Sequence, residues 1–166
     1  RLDEMLEAGL LPNIRRTFIE RGVRVRDAIC SMPSVTYPNN SSIMTGLFPG
    51  HHGILGNYWF DRGQLATRYY MTFDTARDVN AHLTAPTMYD MLADRLSVSV
   101  LDPTLKGVTT SMELRSTFDR GWILGDYIGV DRKVGALITD VFAPANRVRQ
   151  WHTVLAMYPP GVAKTG

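Results

Sequence analysis

A chain of 166 residues, 45% hydrophobic and 20% charged, is long enough for the core of one domain and lacks the bias that keeps a chain disordered. Eighteen Lys and Arg against 16 Asp and Glu give a net charge of +2, a small excess rather than a basic patch. The densest basic run, Arg21 to Arg26, alternates with Gly22, Val23 and Val25. It has no interleaved aromatics to stack bases, which argues against a nucleic-acid surface.

In chain order, Leu2, Met5 and Leu6 give one helix face ended by Gly9, and Pro12 opens a second helix through Ile14, Phe18 and Ile19 that stops at Gly22. Val23 to Cys30 reads as a strand leading into a loop at Thr36. Pro38 and Asn39 suit a helix start, and Ser42 to Thr45 a short helix stopped by Gly46. Tyr58 to Leu83 is expected to be irregular, with Trp59, Phe60, Tyr69, Tyr70 and Phe73 in the core or a pocket wall. Thr87-Met88-Tyr89-Asp90 has the pattern of a capping box; its helix should run to about Leu96, before a strand from Val98 to Leu101. Pro144 should begin a last helix carrying Val148, Trp151 and Leu155, and Tyr158-Pro159-Pro160-Gly161 should approach a further strand. Strands separated by helices need crossovers, so the fold class is α/β with a mostly parallel central sheet flanked by helices. No repeat, linker or low-complexity tract interrupts the chain.

The chemistry concentrates between residues 36 and 57. Thr36-Tyr37-Pro38-Asn39 is followed by Thr45-Gly46-Leu47-Phe48-Pro49, then His52-Gly53-Ile54, then Asn57. Thr36 stands where a helix begins, at the positive end of the dipole, a geometry that favours an alkoxide or a phosphate oxygen. Taken singly, Thr36 would be an ordinary helix cap and Asn57 a turn residue after Gly56.

Taken in order, these segments resemble the nucleophile region of the nucleotide pyrophosphatase/phosphodiesterase family of the alkaline phosphatase superfamily. The resemblance implies an alkaline-phosphatase-like fold, residues 1–166 forming the N-terminal part of a single catalytic domain whose sheet is incomplete. It also implies a hydrolase of phosphodiesters or pyrophosphates acting on a small-molecule or nucleotide substrate. Thr36 would attack phosphorus, form a covalent intermediate and bind one of two Zn2+ ions. Asn57 would donate its amide N–H to a non-bridging oxygen, helped by the backbone N–H of Tyr37. The other zinc ligands, Asp and His residues, are expected outside this chain, so the chain alone is expected to be inactive and to bind zinc weakly.

Within the chain, Asp3 falls inside the first helix and is not assigned as a ligand. His51 and His52 are adjacent in a turn, only His52 matching the family and there as a structural residue; His82 is placed in a polar loop, His152 on a helix beside Trp151. A His-His pair can bind metal, but without nearby Cys or acid ligands it is more often a hydrogen-bonded turn, and neither His82 nor His152 has metal-ligand spacing to a partner. Cys30, the only cysteine, excludes an internal disulfide. Sulfatases of the superfamily use Cys-x-Pro-x-Arg, whereas Cys30-Ser31-Met32-Pro33-Ser34 sets Pro one place too late and has no Arg; Cys30 is expected to be a buried strand residue. No apolar run reaches membrane-spanning length and no signal peptide is visible. With the true N-terminus expected to be missing, the compartment stays open. Two alternatives stand beside the hydrolase: a phosphonoacetate-hydrolase-like enzyme, for which lysines near the substrate (Lys106, Lys133 or Lys164) would speak, and a non-catalytic binding protein of the same fold.

Overall fold

A computed structural model describes residues 1–112, 124–148 and 153–157. The chain divides into two units, residues 1–30 and 31–166.

In the first unit, α1 (Leu2–Glu7) buries Leu6 and is followed by Gly9 at φ 70°. The second helix, α2 (Pro12–Ile14), starts with Pro at its first turn, where the missing N–H costs nothing, and continues as a π-helical turn over Arg15–Ile19. The guanidinium of Arg15 donates to the Leu6 carbonyl, and Arg24 pairs with Asp3. Residues 23–30 form no strand, and Val23, Val25, Ile29 and Cys30 are exposed. A strand is stable only with a ladder partner, and alternation of apolar residues cannot supply one. The expected buried strand residue Cys30 is corrected accordingly.

The second unit begins with α3 (Thr36–Thr45) and α4 (Pro49–His52). A ten-residue α3 starts two residues before Pro38; proline is tolerated there because the first four helical N–H groups have no partner within the helix. Gly46 (φ 71°) and Gly53 (φ 86°) end α3 and α4 in the left-handed region, where a Cβ is strained.

The segment expected to be irregular is ordered. Strands β1 (Tyr58–Asp61) and β2 (Ala66–Tyr69) form an antiparallel hairpin pairing Tyr58 with Tyr69 and Asp61 with Ala66. Asp61 accepts the N–H groups of Gly63 (2.9 Å) and Gln64 (3.1 Å) across the turn. Two short helices follow, α5 (Phe73–Ala76) and α6 (Asp78–His82). Of the aromatics, Tyr70 is fully buried with Ile54, Val79 and Leu83, and Tyr37 and Trp59 pack on that cluster; Tyr58, Phe60 and Tyr69 are exposed.

The capping box forms as expected: Thr87 Oγ1 accepts from the N–H groups of Tyr89 and Asp90, while Asp90 Oδ2 accepts from Thr87 N–H at 2.8 Å. Its helix α7 (Met88–Met91) is shorter than expected, and β3 (Leu96–Val100) starts where that helix was expected to end. β3 is the middle strand of a three-stranded sheet, parallel to both β4 (Thr110–Met112) and β5 (Thr153–Met157). Leu155, expected in a helix, lies in β5, and the long helix α8 (Tyr127–Val148) runs through Pro144 rather than starting there. Period explains the packing: Val98 and Val100, two apart on β3, meet Val130 and Val134, four apart on α8, with Leu137 and Ile138 one turn on. Trp151, His152, Lys164 and residues 158–161 lie outside the described residues. No helix among the described residues is long and apolar enough to cross a membrane.

Beyond β3, Asp102 accepts the Thr104 N–H at 2.7 Å, yet burial pushes its carboxyl up to about 6. The ammonium of Lys106 donates to the carbonyls of Leu83 (2.8 Å) and Ala85 (2.9 Å). Lys133 stands exposed on α8.

Candidate active site

A chain of polar side chains fixes the loop that delivers Thr36. Asn39 Nδ2 donates to the carbonyls of Pro33 and Val35, both at 3.0 Å, and Asn39 Oδ1 accepts from Ser31 Oγ at 3.1 Å. Ser31 Oγ lies 3.3 Å from Ser42 Oγ, which lies 3.1 Å from His52 Nε2. His52 Nδ1 in turn accepts the Ile54 N–H at 3.2 Å. A backbone N–H can only donate, so Nδ1 is bare and the proton sits on Nε2, directed at Ser42. His52 is fully buried, and burial lowers its pKa, the Pro38 carbonyl pulling the other way. Its role is to tie α4 to α3.

This histidine sets an acid limit to stability. Its folded pKa lies below the unfolded value of about 6.5, so the unfolded chain takes up a proton first as pH falls and stability is lost below that pH. Asp102 acts in the opposite sense, because its raised folded pKa favours folding at low pH and that contribution fades as pH rises through about 6. Denaturant midpoints measured from pH 7 to pH 5 should therefore fall more steeply for Asp102→Asn than for the parent, whose own slope contains both effects; an equal slope would show that the carboxyl is not held protonated.

Thr36 is the first residue of α3, and Val35, not Thr36, occupies the cap position, with no side-chain capping bond. The Thr36 side chain is exposed. Capping therefore does not account for this hydroxyl. One residue on, the Tyr37 N–H donates to Asn57 Oδ1 at 3.0 Å. That bond orients the amide: with oxygen committed to Tyr37, Asn57 Nδ2 is the group left to donate. The sequence-predicted partners Tyr37 and Asn57 are thus brought together at the first turn of α3, with the Tyr37 N–H engaged by Asn57 itself. The Asn57 carbonyl accepts from Tyr70 N–H at 3.0 Å, holding the residue from its other side.

Among the described residues, no group of three or more His, Cys, Asp or Glu is placed to hold a metal ion. His51 is exposed, His52 is bound to Ser42 and Ile54, His82 to Arg68 and Tyr70, and Asp3 is paired with Arg24. The described His, Cys, Asp and Glu residues thus form no such cluster by themselves. The supporting roles of Ser31, Asn39 and Ser42 were not visible in the sequence, because nothing in their spacing says which of several hydroxyls meets a histidine ten residues away.

Comparison with known proteins gives a consistent picture. The family model described as type I phosphodiesterase / nucleotide pyrophosphatase matches residues 2–161. Over 58 residues, 35% of this chain, the sequence is 45% identical to an uncharacterized pyrophosphatase/phosphodiesterase of Schizosaccharomyces pombe. It is 40% identical, again over 58 residues, to an ectonucleotide pyrophosphatase/phosphodiesterase of Caenorhabditis elegans. These matches span 12% and 8% of the two relatives' lengths.

Proposed function

The chain belongs to the type I phosphodiesterase/nucleotide pyrophosphatase family, and on that premise we propose that the protein containing it hydrolyses phosphodiester or pyrophosphate bonds with Thr36 as nucleophile. One observation supports this most: Tyr37 N–H holds Asn57 at the first turn of α3, beside an exposed Thr36 that caps nothing. In this reading the parallel strands β4-β3-β5 belong to the alkaline-phosphatase-like central sheet, and residues 1–166 to the N-terminal part of its catalytic domain. The Thr36 oxygen bonds to phosphorus, the bond to the leaving alcohol or phosphate breaks, and the hydroxyl proton is released. Water then cleaves the threonine ester. Asn57 Nδ2 donates to a non-bridging oxygen as charge develops there. Two Zn2+ ions, with Thr36 as one ligand and the rest from beyond the described residues, would lower the pKa of the hydroxyl. The substrate is a small phosphodiester or nucleotide.

A phosphonoacetate-hydrolase-like reading gains no support from Lys106, whose ammonium donates to the carbonyls of Leu83 and Ala85. The test of the proposal uses the full protein and an aryl phosphodiester such as bis(p-nitrophenyl) phosphate. Hydrolysis should stop with a chelator and return with zinc. Zinc-loaded protein that cleaves no phosphoester would leave the fold as a non-catalytic binding scaffold.

A further inference from the structure

Behind Asn57 lies a second polar chain that the chemistry at Thr36 does not by itself require. It starts at Asp61 in β1, where Oδ2 accepts from Arg68 Nε (3.1 Å) and Nη2 (2.8 Å) across the hairpin. The guanidinium and the turn N–H groups hold the Asp61 carboxyl below the usual carboxylate range. Arg68 Nη1 then reaches His82 Nε2 at 2.7 Å, and His82 Nδ1 lies 3.0 Å from the Tyr70 hydroxyl. A guanidinium can only donate, so His82 Nε2 supplies a lone pair and Nδ1 carries the proton that Tyr70 accepts. Four groups face this imidazole: Arg68 from β2, Asp61 from β1, Asp78 from its own helix and Tyr70. Burial first, then Arg68, lower its pKa, against the pull of the two carboxylates.

Tyr70 links this chain to the site. Its ring is fully buried, with centroids 5.8 Å from His82 and 5.5 Å from Tyr37, and its N–H binds the Asn57 carbonyl. The side chain of Tyr70 thus packs on the residue whose N–H grips Asn57 Oδ1, while its backbone holds the main chain of the same asparagine. We infer that Arg68, His82 and Tyr70 are positioning residues for the oxyanion donor Asn57, with His82 as the link that transmits the fixed Asp61–Arg68 pair to the Tyr70–Tyr37–Asn57 contact. This rests on the hydrolase reading for its catalytic consequence, but the mechanical link does not.

Two readouts in the full protein separate these claims. The first is hydrogen exchange of the Tyr37 amide. In Tyr70→Phe, which keeps the ring and deletes the acceptor, and in His82→Ala, exchange should quicken about fivefold or more, the effect of losing one hydrogen bond of net support. His82→Gln, able to accept from Arg68 and donate to Tyr70, should retain more protection than His82→Ala. The second is kinetic: His82→Ala and Tyr70→Phe should lower kcat about tenfold with KM little changed, and should add nothing in an Asn57→Ala background, since they act through that residue. Unchanged Tyr37 exchange in Tyr70→Phe would overturn the positioning claim. So would kinetic losses that add fully to that of Asn57→Ala. If the protein hydrolyses nothing, the exchange result alone decides the mechanical link, and only the hydrolase reading is lost.

Discussion

Thr36→Ala should remove nearly all phosphodiester turnover by the full protein, while Thr36→Ser retains a measurable part. The alanine deletes the oxygen that bonds to phosphorus; serine keeps it and loses only the methyl group that limits its rotamers. The position is suited to the role without being sufficient for it. A helix N-terminus favours negative charge by about 0.3–1 kcal/mol, less than one pKa unit at about 1.36 kcal/mol per unit. A metal can take bound water from about 15.7 to about 7, so the helix end can steer an alkoxide but cannot create one at neutral pH. Activation therefore calls for a cation or base, the part assigned in the proposal to the zinc ions. Full activity in Thr36→Ala, measured as initial rates after zinc loading, would reduce this residue to a helix-start threonine. Folding gives no competing explanation for a loss, because Thr36 is exposed and makes no capping bond.

Asn57→Ala should lower kcat by roughly 10²- to 10³-fold, the usual effect of removing one oxyanion donor. It also strips the Tyr37 N–H of its acceptor, so some loosening of the first turn of α3 is built into that figure. Asn57→Asp divides the two effects: it keeps an acceptor for Tyr37 but turns a donor into an anion facing phosphate. The aspartate variant should be at least as inactive as the alanine one while retaining Tyr37 amide protection. Recovery of activity in Asn57→Asp would show that the side chain serves only to hold Tyr37.

What the sequence made legible follows the range over which each signal acts. The end of α3 at Gly46 and the capping box at Thr87 could be read because their signals are local: a glycine with positive φ, and a side-chain exchange that closes within four residues. The strand expected at Val23 to Cys30 does not form, since alternation reports a pattern and pairing needs a partner elsewhere in the chain. The hairpin at Tyr58 to Tyr69 was missed for a related reason. Its turn depends on Asp61 accepting two N–H groups and gripping Arg68, and no Asn-Gly or Asp-Gly pair announces it. Pro144 was taken as a helix start, yet the Val130, Val134 and Ile138 stripe of α8 lies wholly before it. His82 shows the same limit at the site: a histidine in a polar stretch gives no hint that an arginine 14 residues earlier fixes its tautomer. The pairing of Tyr37 with Asn57, by contrast, joins two residues that family resemblance had already singled out.

Whether Thr36 carries the transferred group is read most directly by identifying the modified residue with mass spectrometry. The full, zinc-loaded protein is mixed with an aryl phosphodiester, quenched in acid during turnover and digested. An aryl phosphodiester adduct, formed with loss of one aryl alcohol, should appear on the peptide containing Thr36, located on that threonine and absent from Thr36→Ala. An adduct on a different residue, or turnover through Thr36→Ala with the same accumulation of adduct, would contradict it.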